Sequence, residues 1–179
     1  MASEFQRRKV AGVFHAMDPD RRGYLVEADF EALAARWTTR RGLAPGTRDH
    51  QRLRDIMLGW WSALSVAAAD AERAGLDDVL AVVDVLPELA EEVAATADAM
   101  FQAVDENQDG LISRAEYQQL IEAWNGCPTD TDEIFGLLDL DGDGYLSRPE
   151  FRVLWTQFWA GDDPAAPGTW VFGRFEEAA

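Results

Sequence analysis

A chain of 179 residues can bury a substantial core in one or two small domains. Its formal net charge of −17 argues against nucleic acid as a partner, because phosphate binding calls for a basic surface. The single cysteine, Cys127, excludes an intrachain disulfide and fits a cytoplasmic setting, and no apolar run approaches the roughly 18 residues of a membrane span.

The first ten residues, MASEFQRRKV, carry neither an apolar leader core nor a Met-Gly acylation signal. Ser3 followed by Gln6 predicts a capping-box start to a first helix, with Phe5, Val10, Val13, Phe14 and Met17 as its apolar stripe. The stripe breaks at DPDRRGYLVEAD, residues 18–29, and resumes at Phe30, Leu33, Ala34 and Trp37. Residues 38–49, with Gly42, Pro45 and Gly46, read as a loop. Leu53, Ile56, Met57, Trp60, Trp61, Leu64 and Val66 then mark a broad apolar helix face. A second acidic stretch follows at about 70–81, and Asp77 is placed to cap the helix beyond it. Pro87 suits the first turn of the next helix, whose inward face is Leu89, Val93, Ala97, Met100, Phe101 and Val104.

Two twelve-residue segments now repeat one pattern, DENQDGLISRAE at 105–116 and DLDGDGYLSRPE at 139–150. Oxygen-bearing side chains stand first, third and fifth, Gly stands sixth and Glu twelfth. A hard cation such as calcium takes roughly 6 to 8 oxygens at about 2.3 to 2.6 Å, so a short loop must curl and aim several oxygens inward. Asp105, Asn107 and Asp109 do this in one copy, and Asp139, Asp141 and Asp143 in the other. Gly110 and Gly144 permit the turn, Leu111 and Tyr145 lend a backbone carbonyl, and Glu116 and Glu150 close the loop with two oxygens. Ile112 and Leu146, eighth in their loops, should face each other across a short β-bridge. Between the two loops, Asn125-Gly126 stops one helix and Thr129 or Thr131 caps the next.

Each complete loop has a formal charge of −3, so two calcium ions would bring the chain from −17 to −13. Against the same template the first loop offers Asp18, Asp20 and Asp29 but sets Arg22 fifth, where a guanidinium repels a cation. That loop is a possible third, weak site if Arg22 swings out to water. The 70–81 stretch has Ala74 fifth and Ala81 twelfth and should be empty. After the fourth loop, Phe151, Leu154, Trp155, Phe158 and Trp159 form an aromatic exit helix, and Trp170, Val171, Phe172 and Phe175 in the tail should fold back over the body.

These motifs resemble the EF-hand family. The long first connection, the paired Trp60 and Trp61, the dead second loop and the Pro/Gly-Trp tail are similar to the sarcoplasmic calcium-binding proteins and their bacterial calerythrin-like relatives. The resemblance implies an all-α fold of four helix-loop-helix units in two pairs, residues 1–86 and 87–160, with the tail at 161–179 packed on them. It implies a cytoplasmic, monomeric, non-enzymatic calcium buffer, with calcium ions as the partner. A calcium sensor with an apolar groove for a protein target is the alternative, and an apolar-ligand protein or photoprotein-like oxygenase is a third. An Arg-rich, Ala-rich composition with Lys9 as the sole lysine fits a GC-rich bacterial genome.

Overall fold

The computed structural model describes residues 2–174. It is all-α apart from two short antiparallel β-pairs: α1 (Glu4–Met17), β1 (Tyr24–Leu25), α2 (Glu27–Arg40), α3 (Arg48–Ala67), β2 (Ala74–Gly75), α4 (Leu76–Val85), α5 (Ala90–Val104), β3 (Leu111–Ser113), α6 (Arg114–Asn125), α7 (Asp132–Leu138), β4 (Tyr145–Ser147) and α8 (Arg148–Trp159). Strand β1 pairs with β2 and β3 with β4, and Ile112 lies opposite Leu146 as the loop spacing requires.

Local chemistry sets most helix ends. The Ser3 hydroxyl accepts from the Gln6 N–H at 3.0 Å, but the Gln6 side chain does not return to close a box; its Nε2 donates to the Trp159 carbonyl at 2.9 Å, tying α1 to the end of α8. Ser113 and Ser147 form full capping boxes with Glu116 and Glu150. Gly126, at φ 74°, ends α6 as expected of a left-handed cap. Four further expectations need correction. Pro87 lies in a 3-10 turn, Leu86–Glu88, and α5 starts only at Ala90, which leaves Leu89 36% exposed. Helix α4 begins before Asp77, and Asp78 supplies the carboxylate that receives the Gly75 N–H. Neither Thr129 nor Thr131 caps α7 with its hydroxyl; Asp130 accepts from the Asp132 N–H at 3.1 Å. Val66, placed inward by periodicity, is exposed.

One apolar cluster runs through both halves, with Phe30, Trp37 and Met57 from the first and Phe101, Trp124, Phe151 and Trp155 from the second all buried. The tail completes it. Tyr117 donates to the carbonyls of Trp170 and Val171 at 3.2 Å, and the Phe172 ring sits 4.7 Å from Trp124 and 4.8 Å from Phe158. Phe175 lies outside the described residues. Lys9, only 1% exposed, donates from Nζ to the carbonyls of Gly161 at 2.8 Å and Gln157 at 3.2 Å, so the sole lysine clamps α1 onto the chain leaving α8.

Two outcomes follow from this docking. A Cβ at Gly168 would stand 2.2 Å from the Leu154 carbonyl oxygen, so Gly168→Ala should lift the tail and destabilise the fold by about 1–3 kcal/mol, read as a lowered urea midpoint. Burial pushes the Lys9 ammonium down to about 8, against the attraction of Asp162. The folded chain therefore holds that proton less tightly than the unfolded chain, and stability rises with pH from about 8 to the ordinary 10.5. Denaturation of the parent and of Lys9→Met across that window should show the rise in the parent alone.

Candidate metal centre

The third and fourth loops start where α5 and α7 end, so Asp105 and Asp139 are both helix C-caps. Each carboxylate is then held by its own loop. Asp105 accepts from the N–H groups of Asp109 (3.2 Å) and Gly110 (3.0 Å); Asp139 accepts from Gly142 (2.8 Å), Asp143 (3.2 Å) and Gly144 (2.9 Å). The turn these bonds enclose needs positive φ at its sixth residue, and Gly110 and Gly144 supply it at 86° and 90°. Asn107, Asp109, Asp141 and Asp143 each accept from the N–H two residues ahead, which curls the loop further.

The twelfth residue shuts the loop. Glu116 takes the Ser113 N–H on Oε2 at 2.8 Å and reaches across with Oε1 to the Glu106 N–H, also at 2.8 Å; Glu150 does the same with Ser147 at 2.8 Å and Leu140 at 3.1 Å. Asp139, Asp141 and Asp143 each bring an oxygen within 4.8 Å of the others. Like charges gathered this closely in one loop repel unless a cation lies among them, and an all-oxygen donor set fits a hard divalent ion. In the third loop the neutral Asn107 donates from Nδ2 to Asp109 at 2.8 Å, so part of that repulsion is relieved internally. Leu111 and Tyr145 open strands β3 and β4 with their carbonyls in the loop backbone.

The first loop is built on the same frame around a different cation. Arg22 does not swing out to water: Nη2 donates to both oxygens of Asp29, at 2.6 and 2.7 Å, and Nε to Asp18 at 3.3 Å. Asp18 is 1% exposed and also accepts the N–H groups of Arg22 and Gly23. Burial alone would raise the Asp18 carboxyl, but those N–H groups and the guanidinium outweigh it and hold its pKa below the ordinary 3.8. The planar fork of an arginine satisfies two carboxylates at once, which is why turning inward wins over hydration here. Asp20 remains exposed.

The second loop sits three residues earlier than the 70–81 spacing suggests. Leu25, eighth in the first loop, pairs with Ala74, so Ala74 is eighth and the loop runs over 67–78. Its first, third and fifth places are Ala67, Ala69 and Ala71, none with a side-chain oxygen. Asp78 is twelfth and keeps the closing bonds, accepting from Gly75 at 2.8 Å and Ala69 at 3.2 Å. Asp70 instead pairs with Arg73 at 2.7 Å. The signal that would have found Asp78 is the carboxylate four residues after the bridge residue, common to all four loops.

Residues 95–156 match the family model of the EF-hand domain pair. A sarcoplasmic calcium-binding protein of Perinereis vancaurica tetradentata is 27% identical over 121 residues, 64% of this chain and 67% of that protein. Among solved structures, the calcium-loaded apo coelenterazine-binding protein of Renilla muelleri superposes with a TM-score of 0.72 at 20% identity, over 97% of this chain and 100% of that one. A calcium-binding protein of Streptomyces coelicolor, described in terms of prokaryotic calcium-mediated regulation, gives 0.69 at 21% identity, over 88% of this chain and 99% of that one. At these identities the two structures share the fold. No helix of the described residues is long and apolar enough to cross a membrane.

The Arg22 geometry makes a sharp expectation. Arg22→Asp removes the internal cation and completes the oxygen set, so calorimetry should count one more calcium ion per chain than in the parent. Without calcium the variant should lose about 1.5–3 kcal/mol, the worth of hydrogen bonds to a charged group, in a urea titration.

Proposed function

We propose, from the premise that this is an EF-hand protein of the sarcoplasmic calcium-binding type, that it binds two calcium ions and serves as a buffer. Asp105, Asn107, Asp109, Glu116 and the Leu111 carbonyl would hold one ion; Asp139, Asp141, Asp143, Glu150 and the Tyr145 carbonyl would hold the other. The observation that carries this is the clustering of three carboxylate oxygens from Asp139, Asp141 and Asp143 within 4.8 Å. Each ion would supply two positive charges to a loop whose formal charge is −3. Glu116 and Glu150 meanwhile keep α6 and α8 capped through Ser113 and Ser147. The first loop, holding Arg22, and the second, lined by alanines, stay outside the ion count.

A buffer keeps its interior shut. Rigid aromatics line this one, with 7 Trp against 4 Met, whereas sensors favour pliable methionine at a groove that opens. The tail also supports a closed state, since Phe172 and the Tyr117 bonds fasten it across the aromatic helices α6 and α8. The Streptomyces relative's link to calcium-mediated regulation favours the second reading, a sensor acting on a partner protein. In either case we place the chain as a monomer in a bacterial cytoplasm, non-enzymatic and calerythrin-like, with paired units at 1–86 and 87–160 and a tail at 161–179.

Four carboxylates in the fourth loop against three in the third should make the fourth at least as tight. Calorimetry of Glu150→Gln should therefore lose more calcium affinity than Glu116→Gln, and the reverse order would contradict the ligand assignment. Hydrogen exchange separates the two readings: a buffer gains protection throughout with calcium, while a sensor loses it along α5 and α8 as a groove opens.

A further inference from the structure

Three arginines at the end of α2 reach across to the helices that flank the third loop. Arg36 donates from Nε to the Ala123 carbonyl at 3.1 Å and from Nη2 to the Trp124 carbonyl at 3.2 Å, and Arg40 pairs with Glu122, so these two hold the C-terminal end of α6. Arg41 goes to the other side of the loop. Its Nη1 donates to the Ala103 carbonyl at 2.6 Å, in the last turn of α5, where carbonyls lack a partner within the helix and a cation meets the negative end of the dipole.

The Arg41 side chain is only 8% exposed although it carries a full charge. Its Nε is buried without a hydrogen-bond partner among the described residues and lies 3.8 Å from Oε2 of Glu106, the second residue of the third loop. A buried guanidinium with one donor unmet is costly, which sets this contact apart from ordinary surface pairing. The Glu106 N–H is in turn one of two that close the loop on Glu116 Oε1, at 2.8 Å, with that of Asn107 at 3.3 Å. Arg41 thus brackets Asp105, the first residue of the oxygen set, from Ala103 before it to Glu106 after it. At the matching places of the fourth loop stand Leu137 and Leu140, 48% and 46% exposed and so uncovered by any such brace.

We propose that Arg41 is a positioning residue for the third calcium site, through which the half of the chain outside the ion count presets the entry of that loop. The inference rests on the reading that the third loop takes calcium. With Ala103 and Glu106 held beforehand, Asp105 and the amides after it need less ordering when the ion arrives, and binding is tighter for it. Charge alone acts the other way, because a guanidinium close to a cation site repels the ion. The direction in which affinity moves when Arg41 is replaced therefore tells positioning from simple repulsion.

The test uses the full chain carrying Glu150→Gln, which leaves the third loop as the remaining site. Adding Arg41→Met, which keeps an apolar stem and removes the charge and the donors, should weaken calcium binding about tenfold by calorimetry, the scale of one hydrogen bond from a charged group. Arg41→Lys, which can still donate to Ala103, should recover most of that loss. In a Glu116→Gln chain, whose remaining site is the fourth loop, Arg41→Met should leave the affinity unchanged. Without calcium, in chains that keep both glutamates, amide exchange followed by NMR should speed up about tenfold at Glu106 and Asn107 in Arg41→Met. It should stay as in the parent at Leu140, whose N–H donates to Glu150 in the fourth loop. Unchanged or tighter calcium binding at the third site in Arg41→Met, or equally faster exchange in both loops, overturns the proposal. Should Glu150→Gln alone bind no calcium, the two-site reading fails, and the calcium-free exchange, which does not depend on it, decides whether Arg41 holds the loop.

Discussion

One hydrogen bond is common to all four loops: the carboxylate of the twelfth residue receives the backbone N–H of the ninth. The pairs are Val26 with Asp29, Gly75 with Asp78, Ser113 with Glu116 and Ser147 with Glu150, each at 2.8 Å. This bond joins the end of a β-bridge to the first turn of the exiting helix, where a carboxylate also meets the positive end of the helix dipole. Once it is fixed, the bridge can pair with its partner, the exit helix leaves at a set angle, and the apolar residues of that helix reach the shared core. The frame is the same in the first and second loops, whose residues do not offer a complete set of oxygen ligands.

What the frame encloses is what differs. The third and fourth loops close with Glu, whose second oxygen reaches the far side of the loop at Glu106 or Leu140. The first closes with Asp, and the gap is bridged by Arg22, a cation supplied by the chain itself. In the second, three alanines leave nothing to coordinate, and Asp78 spans the loop to the Ala69 N–H. The two halves thus differ in kind: one balances a loop's charge with its own Arg22, and the other gathers Asp139, Asp141 and Asp143 within 4.8 Å of one another.

Much of this was legible in the residues. The acidic spacing at 105–116 and 139–150, the Ile112–Leu146 bridge and the helix stops at Gly126 follow from local chemistry that a single sequence displays. The inward turn of Arg22 was not legible, because the sequence displays the repulsion of a guanidinium toward calcium but not its attraction to Asp29, seven residues on, once the loop has closed. The register of the second loop was misread because Asp70, Glu72 and Gly75 mimic the motif, while the feature that sets it is the pairing of Ala74 with Leu25, about fifty residues away. Leu89 and Val66 fit the helical period yet stay exposed, since periodicity does not say where a neighbouring helix stops covering a face.

Trp60 reaches from the first half into a group of indoles from the second, with ring centroids 5.9 Å from Trp124, 5.7 Å from Trp155 and 6.3 Å from Trp159. At such spacings electronic excitation passes between rings faster than it is emitted. These four chromophores consequently behave as one antenna, and ultraviolet light absorbed by any of them reports on the seam where the two halves meet.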